Sequence, residues 1–158
     1  MSKLKEADFY YGSVLSTLFT NHITPVLIEN DKDRQVYDYS TDKGDFRAYI
    51  KYRTSKKNLK SDNYFSWDFV LTNDIDEIKK YIDDNYNIVL FLVCGSKNLK
   101  ESELAILNKD EIKLILSLNK QSITISRKKG EKAFRISIGG GRDKAMPIKS
   151  SRKLEDVI

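Results

Sequence analysis

Two predicted strands carry an acid and an amine that could do chemistry together. Residues 34–40 and 45–54 alternate in residue type, and residues 42–45 between them form a tight-turn signal. Side chains alternate between the two faces of a strand, so Asp38 and Lys51 share one face of the predicted hairpin. A carboxylate and an ammonium group on one face make this hairpin the part of the sequence that could carry chemistry.

The position of the turn sets the register of this hairpin. With residues 43–44 as a two-residue turn, Asp38 lies opposite Tyr49, and Val36 lies opposite Lys51. Opposed residues sit about 5 Å apart and diagonal neighbours about 7–8 Å apart, so the acid and the amine come within reach of each other. A slip by one residue would place Asp38 among apolar side chains. We expect a core face with Tyr37, Tyr39, Phe46, Ala48, Ile50 and Tyr52, and an exposed face with Asp38, Ser40, Arg47, Tyr49, Lys51 and Arg53.

The hairpin and its flanking elements resemble the restriction-endonuclease-like superfamily, the PD-(D/E)xK nucleases. The residues that carry the resemblance are Val36-Tyr37-Asp38-Tyr39, then the turn, then Tyr49-Ile50-Lys51-Tyr52-Arg53-Thr54-Ser55. An amphipathic helix before the hairpin, and a helix and a buried strand after it, fit the αβββαβ core of that superfamily. The resemblance covers residues 6–95 and implies a metal-dependent phosphodiesterase that acts on DNA.

The resemblance also implies roles for individual side chains. Asp38 matches the aspartate that holds a divalent metal, usually Mg²⁺, and Lys51 matches the lysine that assists the attack on the phosphate. Tyr49 stands where the superfamily has its second metal-binding carboxylate, which departs from the pattern because Mg²⁺ requires hard oxygen ligands. Glu6, at the start of the first predicted helix, and Glu29, at the end of the first predicted strand, are the carboxylates that could replace it.

Basic residues are concentrated in two stretches of the chain. There are 28 Lys and Arg against 23 Asp and Glu, which gives a formal net charge of +5. Residues 47–60 contain basic residues and no acid, and the segment from residue 121 onward is also strongly basic. Such clusters attract polyanions, most often nucleic acid, although a solubilising surface has the same composition. The side chains expected to contact nucleic acid are Arg53, Lys56, Lys57, Lys60, Arg127, Lys128, Lys129, Arg142 and Lys144.

Hydrophobic periodicity predicts the elements that must position these residues. A helix is expected over residues 6–21, a second helix after Asn73-Asp74, and a third after the capping box formed by Asn108 and Glu111. The apolar run Ile88–Cys94 is typical of a strand buried on both faces, with helices on both sides of its sheet.

The C-terminal part predicts a basic β-hairpin around residues 128–130, and the three glycines at 139–141 are expected to end regular structure. The fold class is therefore α/β, with a mixed central sheet flanked by helices, an αβββαβ nuclease-like core and a C-terminal basic hairpin. We expect the core to occupy residues 1–118, and residues 119–158 to form a basic hairpin and tail on the same domain.

The composition excludes several other classes of site. A single cysteine, Cys94, excludes an internal disulfide, and with a single histidine, His22, a structural zinc site is excluded as well. No apolar stretch is long enough to span a bilayer, so we expect a cytoplasmic protein with no membrane partner. The alternative to a nuclease is a catalytically inactive nuclease-like protein of phage or mobile-element origin. It would need no cofactor and would bind DNA or RNA, or inhibit a host defence protein.

Overall fold

The computed structural model describes residues 3–20, 23–30, 34–54, 57–58, 64–96 and 98–157. Within these residues the helices are α1 (Glu6–Thr20), α2 (Ile75–Asp83) and α3 (Lys109–Ser117). The strands are β1 (Val26–Asn30), β2 (Gln35–Thr41), β3 (Gly44–Arg53), β4 (Lys57–Asn58), β5 (Tyr64–Val70), β6 (Ile88–Cys94), β7 (Glu103–Leu107), β8 (Ser122–Lys128), β9 (Ala133–Ile136) and β10 (Met146–Lys149). None of the described helices is long and apolar enough to cross a membrane.

The first sheet is mixed and has the strand order β1-β2-β3-β6-β7. The first three strands pair antiparallel, β6 runs parallel to β3, and β7 runs antiparallel to β6. Parallel neighbours need a long crossover connection, and the segment from β4 to α2 provides it. The prediction of an α/β protein with a mixed central sheet is confirmed. The sequence did not predict β7, whose short apolar run lies directly before the capping box of α3.

The second sheet is antiparallel throughout and has the strand order β10-β9-β8-β5-β4. The pairing of β5 with β8 joins strands from residues 1–118 and 119–158 in one sheet. The prediction that regular structure ends at the three glycines is wrong, because β10 follows them and pairs with β9. Pro147 obscured this strand in the sequence, but at the edge of a sheet its missing N–H costs no hydrogen bond of the ladder.

β6 lies at the centre of the molecule, and every one of its residues is buried, as predicted. Its side chains alternate between two apolar clusters. Leu90 and Leu92 pack in the cluster that includes residues of the second sheet, α2 and α3, whereas Val89 and Phe91 pack in the cluster that includes α1. Helices therefore lie on both sides of the first sheet, and on one side they share the layer with a second sheet.

The predicted register of the β2–β3 hairpin is wrong by two residues. The turn consists of residues 42–43, so Asp38 lies opposite Arg47 instead of Tyr49, and Val36 lies opposite Tyr49. A shift of two residues leaves every side chain on its predicted face, so the hydrophobic pattern cannot reveal it. The predicted exposure of the second face is also wrong, because Tyr49 and Lys51 are buried beneath the second layer.

Two of the predicted helices form for the reasons that the sequence suggests. In α1 the stripe of Tyr11, Val14 and Leu18 is buried, although Phe19, which continues the same stripe, is 58% exposed. The capping box of α3 is complete, since the Asn108 side chain accepts from the Glu111 N–H and the Glu111 carboxylate accepts from the Asn108 N–H, each at 2.9 Å.

Candidate functional site

Asp38 is held by an arginine and does not face the predicted lysine. The Arg47 Nε and Nη2 atoms donate to the two Asp38 carboxylate oxygens at 2.7 and 2.9 Å. The Arg47 guanidinium also lies over the Tyr86 ring, 3.8 Å from its centre. Lys51 is four residues further along β3 than Arg47, a distance of about 13 Å. The acid and the amine share a face of the sheet, but they do not form the predicted pair.

Lys51 is instead paired with an aspartate at the start of α2. Its Nζ lies 2.5 Å from the Asp74 Oδ2, and the Tyr49 hydroxyl donates to the Asp74 Oδ1 at 2.5 Å. The three side chains are buried. Burial and the hydrogen bond to Asp74 raise the pKa of the Tyr49 phenol well above its ordinary value, so Tyr49 remains a neutral donor. The three residues form one closed polar cluster between the first sheet and α2.

Arg34 extends this cluster toward the surface. It directly precedes β2, and its guanidinium lies 3.3 Å from Asp74, 2.9 Å from Glu29 and 2.7 Å from Glu77. The neighbouring Glu77 carboxyl raises the pKa of Glu29. The β2–β3 register, continued by one residue, places Arg34 opposite Lys51. On the β2 side, Lys51 therefore faces a second cation, and the acid that it meets is Asp74.

A cleft of about 450 Å³ opens beside Lys51, at the carboxyl end of β3, and Glu6, Arg53, Asn73 and Asp74 also line it. These residues do not fit the Mg²⁺ that the resemblance implies. Both Asp74 oxygens already accept from Tyr49, Lys51 or Arg34, and Glu29 is paired with Arg34. Within the described residues, no group of three or more His, Cys, Asp or Glu side chains is placed to hold a metal.

The outer face of the second sheet brings basic residues from distant parts of the chain together. Trp67, Ile125 and Ile136 are paired neighbours whose side chains lie in the apolar cluster between the sheets, so the alternate residues of these strands point away from it. The buried side chains of all the described helices belong to the two clusters, so none of these helices covers that face. We define the outer face by Tyr64, Ser66, Asp68, Thr124, Ser126, Lys128, Arg135 and Lys149.

β4 is the terminal strand of the second sheet and lies beside β5. Lys57 is the register partner of Ser66, and Tyr64 is the register partner of Lys128. The backbone that follows Arg53 therefore meets the turn after β8 at one end of the sheet. The side chain of Lys57, and the whole of Lys56, Lys60 and His22, lie outside the described residues.

Glu131 organises the turn at this end of the face. Its carboxylate accepts from the Lys128 N–H, forms ion pairs with Arg135 and Arg142, and has its pKa lowered to about 2 chiefly by the hydrogen bond from Arg142. The Arg142 guanidinium lies 5.2 Å from the centre of the Tyr64 ring. Glu131 thus fixes the C-terminal segment against the second sheet.

The other basic residues predicted to contact nucleic acid differ in whether an ion pair already holds them. Lys128, Lys129 and Lys144 are exposed and have no ion-pair partner within the described residues. Arg127 is occupied, because it pairs with Glu103 at 2.6 Å and donates to two backbone carbonyls of the turn. Its role here is to hold the turn.

Comparisons with known proteins do not place this chain in a family. No protein-family model, no curated protein and no solved structure matches it.

The sequence reasoning missed Asp74 as a member of the cluster. It interpreted Asn73-Asp74 as a helix cap, but the Asp74 side chain makes no capping hydrogen bond and accepts from Tyr49 and Lys51 instead. An acid at a cap position satisfies the pattern of a helix start by itself. No signal in the sequence indicated that Lys51 of β3 would form an ion pair with Asp74.

Proposed function

We propose that this chain binds nucleic acid through the outer face of its second sheet and does not cleave it. The observation that carries the proposal is the pairing of β8, β9 and β10, which brings the exposed Lys128 and Lys149, together with Arg135, onto one face of the second sheet. Basic residues brought together in this way form a continuous footprint for a phosphate backbone.

The charges of the outer face support a polyanionic ligand. Lys128 and Lys149 are exposed on it, and the exposed Lys129, Lys132 and Lys144 lie at its rim. No salt bridge among the described residues involves any of these lysines. Each is therefore available to replace a counterion of the backbone, and release of those ions is the main source of sequence-independent affinity.

The shape of the face favours a single strand over a duplex. Ser66 and Ser126 near the middle of the face are buried, so its accessible part is the border of exposed lysines and the half-buried Tyr64 ring beside Arg142 at one end. An aromatic ring with a basic border can stack on an unpaired base while the cations follow the backbone by charge. A duplex is usually read by an element that enters a groove, and none of α1, α2 and α3 packs on this face.

The absence of cleavage follows from the partners of the two candidate catalytic residues. The order of the first sheet, with a helix before three antiparallel strands and β6 parallel to the third, supports the proposed nuclease-like ancestry. However, Asp38 is neutralised by Arg47, and Lys51 is buried against Asp74. A domain that kept the nuclease-like scaffold and lost its metal ligands fits these contacts best.

Binding is tested by fluorescence anisotropy with labelled single-stranded DNA, single-stranded RNA and duplex DNA, in buffers of increasing salt. We expect the single strands to bind more tightly than the duplex, and the affinity to fall linearly on logarithmic axes as salt rises, with or without Mg²⁺. An absence of binding at low salt would overturn the proposal, as would an affinity that does not respond to salt.

A further inference from the structure

Five charged side chains meet where β1 and β3 approach the start of α2. Three of them are acids, Glu29, Asp74 and Glu77, and two are bases, Arg34 and Lys51. With every carboxyl ionised, these five side chains would carry one negative charge in excess. Their charges balance when one of the three carboxyls holds a proton.

Glu29 and Glu77 compete for the same nitrogen of Arg34. The Arg34 Nη2 atom lies 2.9 Å from the Glu29 Oε1 and 2.7 Å from the Glu77 Oε2. The first contact is a hydrogen bond, whereas the Glu77 Oε2 is buried and accepts no hydrogen bond from any described residue. A buried carboxylate oxygen without a donor is costly, and two carboxylates on one nitrogen repel each other. The missing group is a proton donor between the two acids.

We propose that Glu29 and Glu77 share one proton, which makes these two residues and Arg34 a pH-sensitive latch between β1 and α2. A protonated Glu29 carboxyl accepts from Arg34 and donates to the Glu77 Oε2, so it supplies the hydrogen bond that this oxygen lacks. The other Glu77 oxygen already accepts from the Tyr81 hydroxyl at 2.5 Å. The inference does not depend on nucleic-acid binding.

The other titratable groups around the latch leave the proton on this pair. Among the described residues they are Tyr49 and Lys51 of β3, Asp74, and Tyr81 of α2. Burial raises the pKa of both tyrosines, so they remain neutral donors. Lys51 is neutralised by Asp74. Residues 31–33, which join β1 to Arg34, lie outside the described residues.

The two carboxyls are shifted in opposite directions, as a shared proton requires. The hydrogen bond with Glu77 is the main cause that raises the pKa of Glu29. Burial acts to raise the pKa of Glu77, but the hydrogen bonds with Glu29 and Tyr81 and the charge of Arg34 outweigh burial and lower it.

The latch lies where the pairing of β1 is irregular. The register of β1 against β2 shifts between Leu27 and Glu29, so the ladder is interrupted beside the latch. α2 is tied to β3 separately through Asp74 and Lys51. Loss of the shared proton leaves two repelling carboxylates, and we expect the end of β1 to loosen while α2 stays in place.

The sign of the pH dependence follows from the raised pKa of Glu29. Above pH 4.5, the ordinary value, the folded protein keeps a proton on Glu29 that the unfolded chain has lost. The contribution of Glu29 to stability is therefore present below pH 4.5 and is lost as the pH rises through its folded-state pKa. The lowered pKa of Glu77 acts oppositely below pH 4.5, so the latch is tightest when the pair holds one proton.

The first test is a carboxyl NMR titration of the wild-type protein. We expect one of the two carboxyls to keep its proton above pH 4.5 and the other to lose it below that value. In Glu77→Gln, the pKa of Glu29 should return toward 4.5. Two wild-type carboxyls that both titrate below pH 4.5 would overturn the proposal, because Arg34 would then hold two ordinary carboxylates.

The second test measures amide hydrogen exchange in β1 at a series of pH values. Glu29→Gln places an N–H donor beside Glu77 at every pH, so it should keep the latch closed. The exchange rate of wild type relative to Glu29→Gln should rise above pH 4.5, by up to about tenfold per pH unit for one proton. The control is Glu101→Gln, an exposed residue that should follow wild type. A ratio that stays constant with pH would overturn the latch even if the carboxyls titrate as expected.

Discussion

Lys51 of β3 and Asp74, which directly precedes α2, form a buried ion pair that ties the first sheet to that helix. The Tyr49 hydroxyl, also from β3, donates to the other Asp74 carboxylate oxygen. A buried lysine beside a cleft has the features of a reactive group. Its contacts give it a structural role here, because the acid that it meets is already shared with Tyr49 and Arg34.

Lys51→Met keeps most of the side-chain volume and removes the charge. Because Asp74 then keeps its burial but loses its nearest cation, we expect the free energy of unfolding to fall by about 3 kcal/mol. Urea denaturation followed by circular dichroism measures the change. The control is Lys113→Met, an exposed lysine of α3, which should change stability by less than about 0.5 kcal/mol. Equal effects of the two substitutions would contradict a structural ion pair.

Gly95→Ala and Gly12→Ala should change stability in opposite directions. A Cβ at Gly95 would lie 2.6 Å from both the Arg53 carbonyl oxygen and the Tyr10 hydroxyl oxygen, so the backbone after β6 must shift. We expect a loss of about 1–3 kcal/mol. A Cβ at Gly12 meets nothing within 4 Å, and in the interior of α1 it should add about 0.5–1 kcal/mol. Thermal unfolding of the two variants measures both effects, and a stable Gly95→Ala variant would contradict the described packing.

Glu131 makes part of the stability dependent on pH. Its pKa in the folded protein is lowered to about 2, mainly by the hydrogen bond from Arg142, against an ordinary value of 4.5. A lowered folded-state pKa gives stability that is complete above about pH 4.5 and is lost as the pH falls toward 2. Glu131→Gln should therefore cost about 1–2 kcal/mol at neutral pH, after solvent screening is allowed for.

The difference in the free energy of unfolding between wild type and Glu131→Gln should shrink as the pH falls from about 4.5 toward 2. Urea denaturation at a series of pH values measures it. Glu155→Gln is the control, because Glu155 is exposed and belongs to no ion pair among the described residues. A difference that stays constant down to pH 2 would show that the Glu131 carboxylate is not held by these arginines.

The sequence predicted the elements of the first sheet better than the pairing that places their side chains. α1, the buried β6 and the α3 capping box each depend on local periodicity or on residues three positions apart, which a single sequence displays. The two-residue error in the β2–β3 register had no local signal, since both registers keep Asp38 and Lys51 on one face. The shift of two residues gives Asp38 the partner Arg47 and leaves Lys51 to pair with Asp74.

The strand pairing of the second sheet could not be predicted from local sequence patterns, for a different reason. β5 and β8 are far apart in the chain, and nothing in either strand specifies the other. Their pairing buries the face that the hairpin pattern alone assigns to solvent, and so Tyr49 and Lys51 become core residues. Asp74 joins the candidate site only because this layer and α2 close over β3.

Plasmid DNA incubated with the protein and Mg²⁺ or Mn²⁺ should remain supercoiled and uncut. The reason is that no carboxylate oxygen of Asp38 or Asp74 is left to hold a metal. Both Asp38 oxygens accept hydrogen bonds from Arg47, and the Asp74 oxygens accept from Lys51, Tyr49 and Arg34. Agarose electrophoresis measures the outcome, with a commercial metal-dependent nuclease as the positive control. Metal-dependent cleavage that is lost in Asp38→Ala would contradict this account.

The salt dependence of nucleic-acid binding tests the central claim most directly. Three exposed lysines of the outer face and its rim are replaced together, namely Lys128→Ala, Lys129→Ala and Lys149→Ala. A second variant removes the same charge from exposed positions of α2 and α3, namely Lys79→Ala, Lys80→Ala and Lys113→Ala. Since each lost phosphate contact lowers the logarithmic salt slope for a single strand by about 0.7, the first variant should lose about 2 in slope and the second almost nothing. Equal losses in the two variants would contradict an interface on the second sheet.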